Sequence, residues 1–322
     1  MRRVIGIDIG GTKCAVLLAD TGESTQIIRK IKFETETGRG CGYALERIIE
    51  SVRTLIQESD EPVQAIGISC GGPLDSRRGI IQSPPNLPGW DDVHITGMLN
   101  GEFGIPAYIQ NDANACALVE WKMGAGRGCE NMVFLTMGTG MGAGIIAEGR
   151  LLRGRGDMAG EVGHVRLRKN GPVGYNKAGS FEGFTSGGGI ARLAGMMRAE
   201  WIANRKNPPW TETDEQLTTK RLSEYAREGD EYALEVFRCV GGYLGEGISM
   251  IADILDPEMI VIGSVYMRCE DLLKDSMWAV IRRESLAQIS ENLKVVPAMN
   301  GESIGDLAAI MVAVYGLEDN IK

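Results

Sequence analysis

The sequence lacks the features typical of secreted, membrane-bound and nucleic-acid-binding proteins. Its seven cysteines include no C-x-x-C pair and no short, even spacing of the kind that builds a disulfide framework. Its apolar runs are too short for a signal peptide core or a membrane span. The net charge of -9 gives no general attraction to nucleic acid or to an anionic membrane surface. These absences predict a cytoplasmic protein with reduced thiols, no anchor, and neither nucleic acid nor membrane as a partner.

Glycine, in contrast, is abundant and is concentrated in short motifs. The chain of 322 residues contains 44 glycines, about twice the usual share, while its hydrophobic and charged fractions of 43% and 24% are ordinary. This length is enough for two lobes with separate cores. A two-lobed protein that binds small molecules is therefore expected.

Two glycine-tipped hairpins are the main features of the pattern. Apolar runs between residues 4 and 20 flank Gly10, Gly11, Thr12 and Lys13, and a second pair between residues 132 and 152 repeats this plan around a loop. That second loop contains Gly138, Thr139 and Gly140. One such loop is explained by a tight turn alone, but two can offer adjacent backbone N–H groups to a triphosphate.

Two other phosphate-binding motifs are excluded by their context. The order Gly11-Thr12-Lys13 differs from a Walker A loop, and a strand follows it where a helix is required. Residues 138–143 satisfy G-x-G-x-x-A, with the acidic Asp157 downstream, but strand-like residues follow again. Neither a P-loop nor a dinucleotide-binding fold is predicted.

Asp112 has two interpretations on residue type alone. It follows a short strand and precedes a helical stretch, so it could be the N-cap of that helix, or a carboxylate that accepts a proton from an alcohol. Glu161 and His164 lie three residues apart in an irregular, polar segment, residues 153–182, that also contains Glu182. Long irregular segments in compact domains are usually functional.

Five motifs in order resemble the ROK-type sugar kinases, within the actin, heat-shock-70 and hexokinase superfamily. The resemblance implies an α/β, two-lobed actin-like (ribonuclease H-like) ATPase fold with mixed sheets and a nucleotide cleft between the lobes. It implies an N-terminal lobe of residues 1–112, completed by a C-terminal helix at about 302–322, and a larger lobe of residues 113–301. The motifs are Asp8 to Lys13, Asn86 to Trp90, Asn111 to Asn114, Gly138 to Gly142 and Glu161 to His164.

The resemblance also implies a role for each candidate residue. Asp112 would be the catalytic base, and Asp8 would face Mg²⁺, through water because this ion keeps much of its hydration. The sugar would be bound by Asn86, Asn111, Glu161, His164 and Glu182. The nucleotide would be bound by Asp8, Gly10, Gly11, Thr12, Lys13, Gly138, Thr139, Gly140, Gly263 and Ser264, with Thr12 and Thr139 facing the phosphates.

The activity implied is ATP-dependent phosphorylation of a hexose, with glucose converted to glucose 6-phosphate as the first choice. N-acetylmannosamine, N-acetylglucosamine, fructose, allose and a β-glucoside remain alternative substrates, and a non-catalytic sugar-binding regulator is the alternative of another class. The family's repressors carry a DNA-binding domain before the first motif, which here begins at residue 4, so repression is not expected. A homodimer is expected from the resemblance.

The sequence departs from the family pattern at two places. Most members have three cysteines of a zinc knuckle where this chain has Val173, Tyr175 and Ser180. No structural zinc is expected, and the loop should be fixed by packing of residues such as Pro172, Tyr175 and Phe181. Ser264 replaces a second glycine of the adenosine segment, and a serine should resist positive φ there.

Overall fold

A computed structural model describes residues 2–204 and 216–319, which form two compact units. The first unit contains Met1–Met123, Leu151–Ala159 and Glu302–Lys322, and the second contains Gly124–Arg150 and Gly160–Gly301. Parts of the two predicted lobes, residues 205–215 and 320–322, lie outside the described residues. None of the helices in the described part of the chain has both the length and the apolar character needed to cross a membrane.

The described residues contain both strands and helices, in short runs of each. The strands are β1 (Arg2–Ile9), β2 (Lys13–Thr21), β3 (Thr25–Glu34), β4 (Val63–Cys70), β5 (Leu74–Asp75), β6 (Ile80–Ile81), β7 (Ala107–Asn111), β8 (Met132–Met137), β9 (Met141–Ala147), β10 (Arg150–Leu151), β11 (Val173–Gly174), β12 (Lys177–Ala178), β13 (Met259–Ile262) and β14 (Lys294–Pro297). The helices are α1 (Cys41–Glu58), α2 (Ile95–Phe103), α3 (Asp112–Met123), α4 (Phe181–Thr185), α5 (Gly187–Ala203), α6 (Thr219–Arg227), α7 (Glu231–Leu255), α8 (Val265–Glu284), α9 (Ala287–Ser290) and α10 (Ile304–Asp319).

The first unit is built on a five-stranded mixed sheet with the order β3-β2-β1-β4-β7. The first three strands form an antiparallel meander, whereas β4 and β7 run parallel to β1. Both faces of β1 are covered, and this explains its nearly continuous apolar sequence. Ile5, Ile7 and Ile9 share a core with Ile48 and Val52 of α1. The alternate residues, which include Asp8, face the opposite side of the sheet.

Helix α10 covers that opposite face at very short range. A Cβ on Gly6 would lie 2.9 Å from the backbone nitrogen of Ile310. A Cβ on Gly67, in the adjacent strand, would collide with the backbone of Ala309 and Ala313. The helix therefore packs directly on strand backbone, and any larger residue at Gly67 would force it away from the sheet.

The second unit repeats this plan. Its five-stranded sheet has the order β10-β9-β8-β13-β14, with β8 and β9 antiparallel and β13 and β14 parallel to β8. The predicted repetition of the glycine-tipped hairpin is therefore confirmed. Helices α7 and α8 pack closely against each other. A Cβ at Gly245 of α7 would lie only 2.5 Å from the Met277 carbonyl of α8.

The division into units differs from the predicted lobe bounds at two segments. Helix α3 belongs to the first unit, where it packs against α10. The segment Leu151–Ala159 also belongs to the first unit: the Leu151 N–H donates to the Tyr315 hydroxyl, and the buried Asp157 carboxylate accepts from Ser76 N–H and Oγ–H, both at 2.7 Å. Contacts from distant parts of the chain determine both assignments. The functional lobe bounds remain a prediction.

Candidate functional site

Asp8 and Asp112 lie at one edge of the first sheet. β1, β4 and β7 are parallel neighbours, with Asp8 opposite Ser69 and Cys70 opposite Asn111. Asp8 is thus near the carboxyl end of β1, and Asp112 follows the end of β7 directly. In α/β sheets this edge is where ligands bind. The structure brings the two predicted carboxylates and Asn111 together here.

A third carboxylate, missed by the sequence analysis, contributes to the charge at this edge. Burial, together with the negative charges of Asp306 and Asp112, raises the pKa of Asp8 to about 6. Asp306 lies in the first turn of α10 and accepts two hydrogen bonds from Lys30 Nζ, at 2.6 and 2.7 Å. No motif connected Asp306 with Asp8 in the sequence. Asp306 is close to Asp8 only because α10 packs on the first sheet.

Asn111, and not Asp112, caps helix α3. Helix α3 begins at Asp112, and the side-chain Oδ1 of Asn111 accepts the N–H of Asn114 at 2.7 Å, which is the N-cap geometry. Asp112 Oδ1 accepts from the adjacent Ala113 N–H, at 2.9 Å, which is not the N-cap contact. The Asp112 side chain reaches solvent, but protein surrounds it closely enough for desolvation to raise the pKa of its carboxyl. Asn111 is the cap, and Asp112 is a solvent-accessible carboxylate with a raised pKa.

The first glycine loop is held by one buried threonine. Thr35 N–H donates to the Thr12 carbonyl at 2.8 Å, and Thr35 Oγ1 donates to the Gly10 carbonyl at 2.6 Å. Gly10 N–H also donates to the Lys13 carbonyl at 3.0 Å. The Thr12 side chain is exposed, and Lys13 Nζ lies 3.7 Å from Glu34 Oε1. The loop backbone is fixed while its side chains remain accessible to a ligand.

Asn86 lies beside this loop. Its backbone contacts Gly11 so closely that a Cβ on Gly11 would collide with the Asn86 carbonyl. Its side-chain Oδ1 lies 3.4 Å from the position that a Cβ on Gly71 would occupy, at the end of β4. The exposed Asn86 is anchored by its neighbours Leu87 and Trp90, which are fully buried.

The second glycine loop has equivalent supports in the second unit. Gly138 N–H donates to the Gly140 carbonyl at 3.1 Å, and the Gly138 carbonyl accepts the N–H of Gly187 at 2.8 Å, at the start of α5. Thr139, at the tip, is exposed. The exposed Thr139 and the fixed backbone around it match the first loop.

Gly263 and Ser264 follow β13 on the same unit. A Cβ on Gly263 would lie 3.1 Å from the ring of Phe134, and the Ser264 hydroxyl lies 3.5 Å from where a Cβ on Gly138 would be. Ser264 has φ of 56° and ψ of -110°. Ser264 therefore adopts positive φ despite the resistance expected of a serine, and the backbone is strained at this residue.

Glu161, His164 and Glu182 lie on connected segments. A 3₁₀ turn (Val162–His164) separates Glu161 from Val165, whose carbonyl accepts the Phe181 N–H at 2.8 Å. Phe181 begins α4, which contains Glu182. Glu161 and His164 are exposed, whereas Glu182 is half-buried and its Oε2 accepts the N–H of Met141, in β9, at 3.1 Å. Glu182 therefore contacts the second glycine loop directly, a contact that the sequence did not indicate.

The three positions at which the resemblance implies zinc-binding cysteines lie in a hairpin and at a helix cap. Val173 and Tyr175 are 48% and 65% exposed in the β11–β12 hairpin, and the buried Ser180 Oγ accepts the Gly183 N–H of α4 at 3.1 Å. The predicted packing of Pro172 and Phe181 is confirmed by their burial. Tyr175 lies at the exposed turn of the hairpin with φ of 40°, and its ring packs edge-on against that of His164, with ring centres 6.3 Å apart. In the described residues, no group of three or more His, Cys, Asp and Glu side chains is arranged to hold a metal ion.

Comparison with known proteins covers nearly the whole chain. A sequence profile described as the ROK family matches residues 4–314. A glucokinase of Thermotoga maritima is 33% identical over 275 residues, which are 84% of each chain.

Two solved structures share the fold over almost their full lengths. A ROK hexokinase from Thermus thermophilus has a TM-score of 0.81 and 29% identity, covering 98% of this chain and 99% of that chain. A ROK family glucokinase from Streptomyces griseus, in complex with glucose and AMPPNP, has a TM-score of 0.74 and 28% identity over 98% and 100% of the two chains. The predicted fold class, a two-lobed actin-like α/β fold, is confirmed by this likeness.

Proposed function

Because this chain belongs to the ROK family, we propose that it is an ATP-dependent kinase that converts glucose to glucose 6-phosphate. The observation that carries the proposal is the position of Asp112. It follows the carboxyl end of β7, near Asp8, and the adjacent Asn111 performs the capping of α3. This carboxylate lies at the ligand-binding edge of the sheet and is not needed as a cap. It is therefore available to accept a proton from a bound substrate.

In the proposed reaction, Asp112 accepts the proton of the attacking glucose hydroxyl. The hydroxyl oxygen forms a bond to the γ-phosphorus while the bond from that phosphorus to the β–γ bridging oxygen breaks, and ADP leaves with the bridging oxygen. The raised pKa of Asp112 brings its basicity closer to neutral pH, where general base catalysis works best. Phosphoryl transfer requires little further covalent chemistry beyond positioning and charge stabilisation.

The remaining candidates bind and orient the two substrates. We assign the sugar hydroxyls to Asn86, Asn111, Glu161, His164 and Glu182. Thr12, Lys13, Thr139 and the backbone N–H groups of both glycine loops receive the ATP phosphates, and Gly263 and Ser264 receive the adenosine side. The contact of Glu182 with Met141 N–H supports a link between sugar binding and the second glycine loop.

One carboxylate, that of Asp8, is enough to orient a hydrated Mg²⁺, so the proposed position needs no group of three protein ligands. Asp8, Asp112 and Asp306 interact electrostatically, and their mutual repulsion makes ionisation of Asp8 unfavourable until a cation is near. Carboxylate oxygens are ligands that Mg²⁺ accepts, and the ion usually retains several waters. We propose that Asp8 orients such a hydrated ion, which supplies charge neutralisation to the phosphates.

A coupled assay of ADP release tests this function. Purified protein is given ATP-Mg²⁺ and each of glucose, N-acetylmannosamine, N-acetylglucosamine, fructose, allose and a β-glucoside. Glucose should give the highest kcat/KM. Sugar binding without ADP release from any sugar would favour the regulator instead, and preference for another sugar would correct the substrate alone.

We also propose a homodimer in the cytoplasm. All seven cysteines are free thiols, which supports a reducing compartment, and the dimer is supported by the family resemblance. Light scattering at micromolar concentration should give twice the chain mass of 34.8 kDa. A mass equal to one chain would contradict the dimer.

A further inference from the structure

The loop between His164 and α4 is joined to helix α7 by a single arginine. Arg168 Nη1 donates to Glu246 Oε2 at 2.8 Å, and Nη2 donates to the other oxygen of the same carboxylate. This is the bidentate pairing in which a guanidinium is most directional. The Glu246 side chain, in α7, is 18% exposed and that of Arg168 is 47% exposed, so the carboxylate is shielded while the guanidinium still reaches solvent.

Two aromatic rings extend this contact to α4. The Arg168 guanidinium lies 5.2 Å from the centre of the Tyr243 ring, one helical turn before Glu246. Tyr243 in turn stacks on Phe184, with ring centres 3.8 Å apart and an angle of 18° between their planes. Phe184 is buried and lies two residues after Glu182. We call Arg168, Glu246, Tyr243 and Phe184 the arginine clasp.

Backbone hydrogen bonds connect the arginine clasp to both ends of the loop, the end that bears His164 and the end that bears Glu182. The N–H groups of Leu167 and Arg168 both donate to the Gly179 carbonyl, at 2.9 and 3.1 Å, which joins the start of the loop to its end. The Phe181 N–H donates to the Val165 carbonyl at 2.8 Å, directly after His164. Fixing Arg168 therefore fixes the backbone that bears His164 on one arm and Glu182 on the other.

We propose that Arg168 is a positioning residue for the sugar site and that the arginine clasp orders the loop that bears His164 and Glu182. The inference rests on the proposed kinase function. It follows from two observations: Arg168 makes the bidentate contact with Glu246, and the stack of Tyr243 on Phe184 reaches the helix of Glu182. Arg168 acts through His164 and Glu182 and does not itself touch the sugar.

Loss of the clasp should lower kcat/KM for the sugar more than it changes the KM for the nucleotide. Without Arg168, the loop can sample other conformations, and only a fraction of molecules presents His164 and Glu182 correctly. The second glycine loop keeps a separate support, the hydrogen bond from Gly187 N–H to the Gly138 carbonyl. The KM for ATP-Mg²⁺ should therefore change little.

The test uses substitutions on both partners, in full-length protein. In Arg168→Ala and in Glu246→Gln, kcat/KM for glucose should fall about 10- to 100-fold, as expected for loss of a charge-assisted contact, with the ATP KM nearly unchanged. Arg168→Lys keeps the charge but not the bidentate geometry, so its kcat/KM for glucose should lie between that of these variants and that of wild type. Arg238→Ala is the control, because it removes an ion pair with Glu235 within α7 and should match wild type.

Hydrogen exchange of the substrate-free protein provides a second readout that needs no kinase activity. The amides of residues 166–182 should exchange faster in Arg168→Ala and Glu246→Gln than in wild type or Arg238→Ala. If wild type phosphorylates no sugar, the proposed function fails, and exchange still decides whether the clasp orders the loop. Unchanged exchange and glucose kinetics in both variants would overturn the proposal. So would an equal loss for glucose and ATP accompanied by a lower Tm, because that result indicates general destabilisation.

Discussion

Asp112→Asn separates the catalytic from the capping interpretation of Asp112. The substitution keeps the shape of the side chain, and the asparagine oxygen can still accept the Ala113 N–H that Asp112 Oδ1 accepts at 2.9 Å. It removes the ability to take up the hydroxyl proton. Asn111, which caps α3 through the Asn114 N–H, is unaffected.

Asp112→Asn should lower the activity strongly and leave the stability almost unchanged. Loss of a general base lowers kcat by about 10²- to 10⁴-fold, equivalent to about 3–5 kcal/mol in the barrier. The Tm of Asp112→Asn should stay close to wild type, since no hydrogen bond to α3 is lost. Asn111→Ala should instead remove about 1 kcal/mol of stability by leaving the Asn114 N–H uncapped, which lowers Tm by a few degrees.

The assay is ADP release at saturating glucose and ATP-Mg²⁺, with Tm from calorimetry of the same samples. Saturation separates lost chemistry from weakened binding. A stable Asp112→Asn variant with near wild-type turnover would refute the role of base. A large fall in Tm for Asp112→Asn, with little change for Asn111→Ala, would refute the assignment of the cap.

Three further predictions concern pH, backbone strain and metal content. The acid limb of kcat/KM for glucose should lie near pH 6, because Asp8 and Asp112 must be ionised and burial raises the pKa of both, that of Asp8 to about 6; a limb near the ordinary carboxyl value of about 4 would contradict this. Ser264→Gly should raise stability by about 1 kcal/mol, because relief of the positive-φ strain exceeds the entropy that glycine adds to the unfolded chain; an unchanged or lower Tm would count against strain. Purified protein should contain no stoichiometric zinc by metal analysis, since Val173, Tyr175 and Ser180 replace the thiolates, and one tightly held zinc per chain would disprove it.

Local sequence patterns were sufficient where the chemistry is local. Gly10 and Gly11 predicted a turn at the correct place, because a tight hairpin has few alternatives to glycine. The short strand before Asn111 and the helix after it predicted the position of Asp112 at a strand-to-helix junction, which β7 and α3 confirm. The pattern alone could not decide whether Asn111 or Asp112 caps the helix, because both residue types are good caps.

Features that depend on distant parts of the chain were not predictable. Asp306 approaches Asp8 only through the packing of α10, and nothing within the sequence near Asp306 indicates this. Tyr175 lies at an exposed turn of the hairpin, and the sequence did not indicate that its ring contacts that of His164 there. The pairing of Arg168 with Glu246 joins residues 78 positions apart, and charge pairs at such separation have no signature in a single sequence.

The contact of α10 with Gly6 and Gly67 has a consequence for the order of folding during synthesis. Ile304, where α10 begins, follows the whole of the second unit, whereas the strands that it covers end at Asn111. When the ribosome has produced these strands, the backbone at Gly6 and Gly67 still lacks its cover. One face of the N-terminal sheet therefore stays exposed until α10 has been synthesised, after the second unit has emerged. The second unit does not need α10 and can fold before the first is complete. The half of the protein that is made first is therefore expected to be completed last.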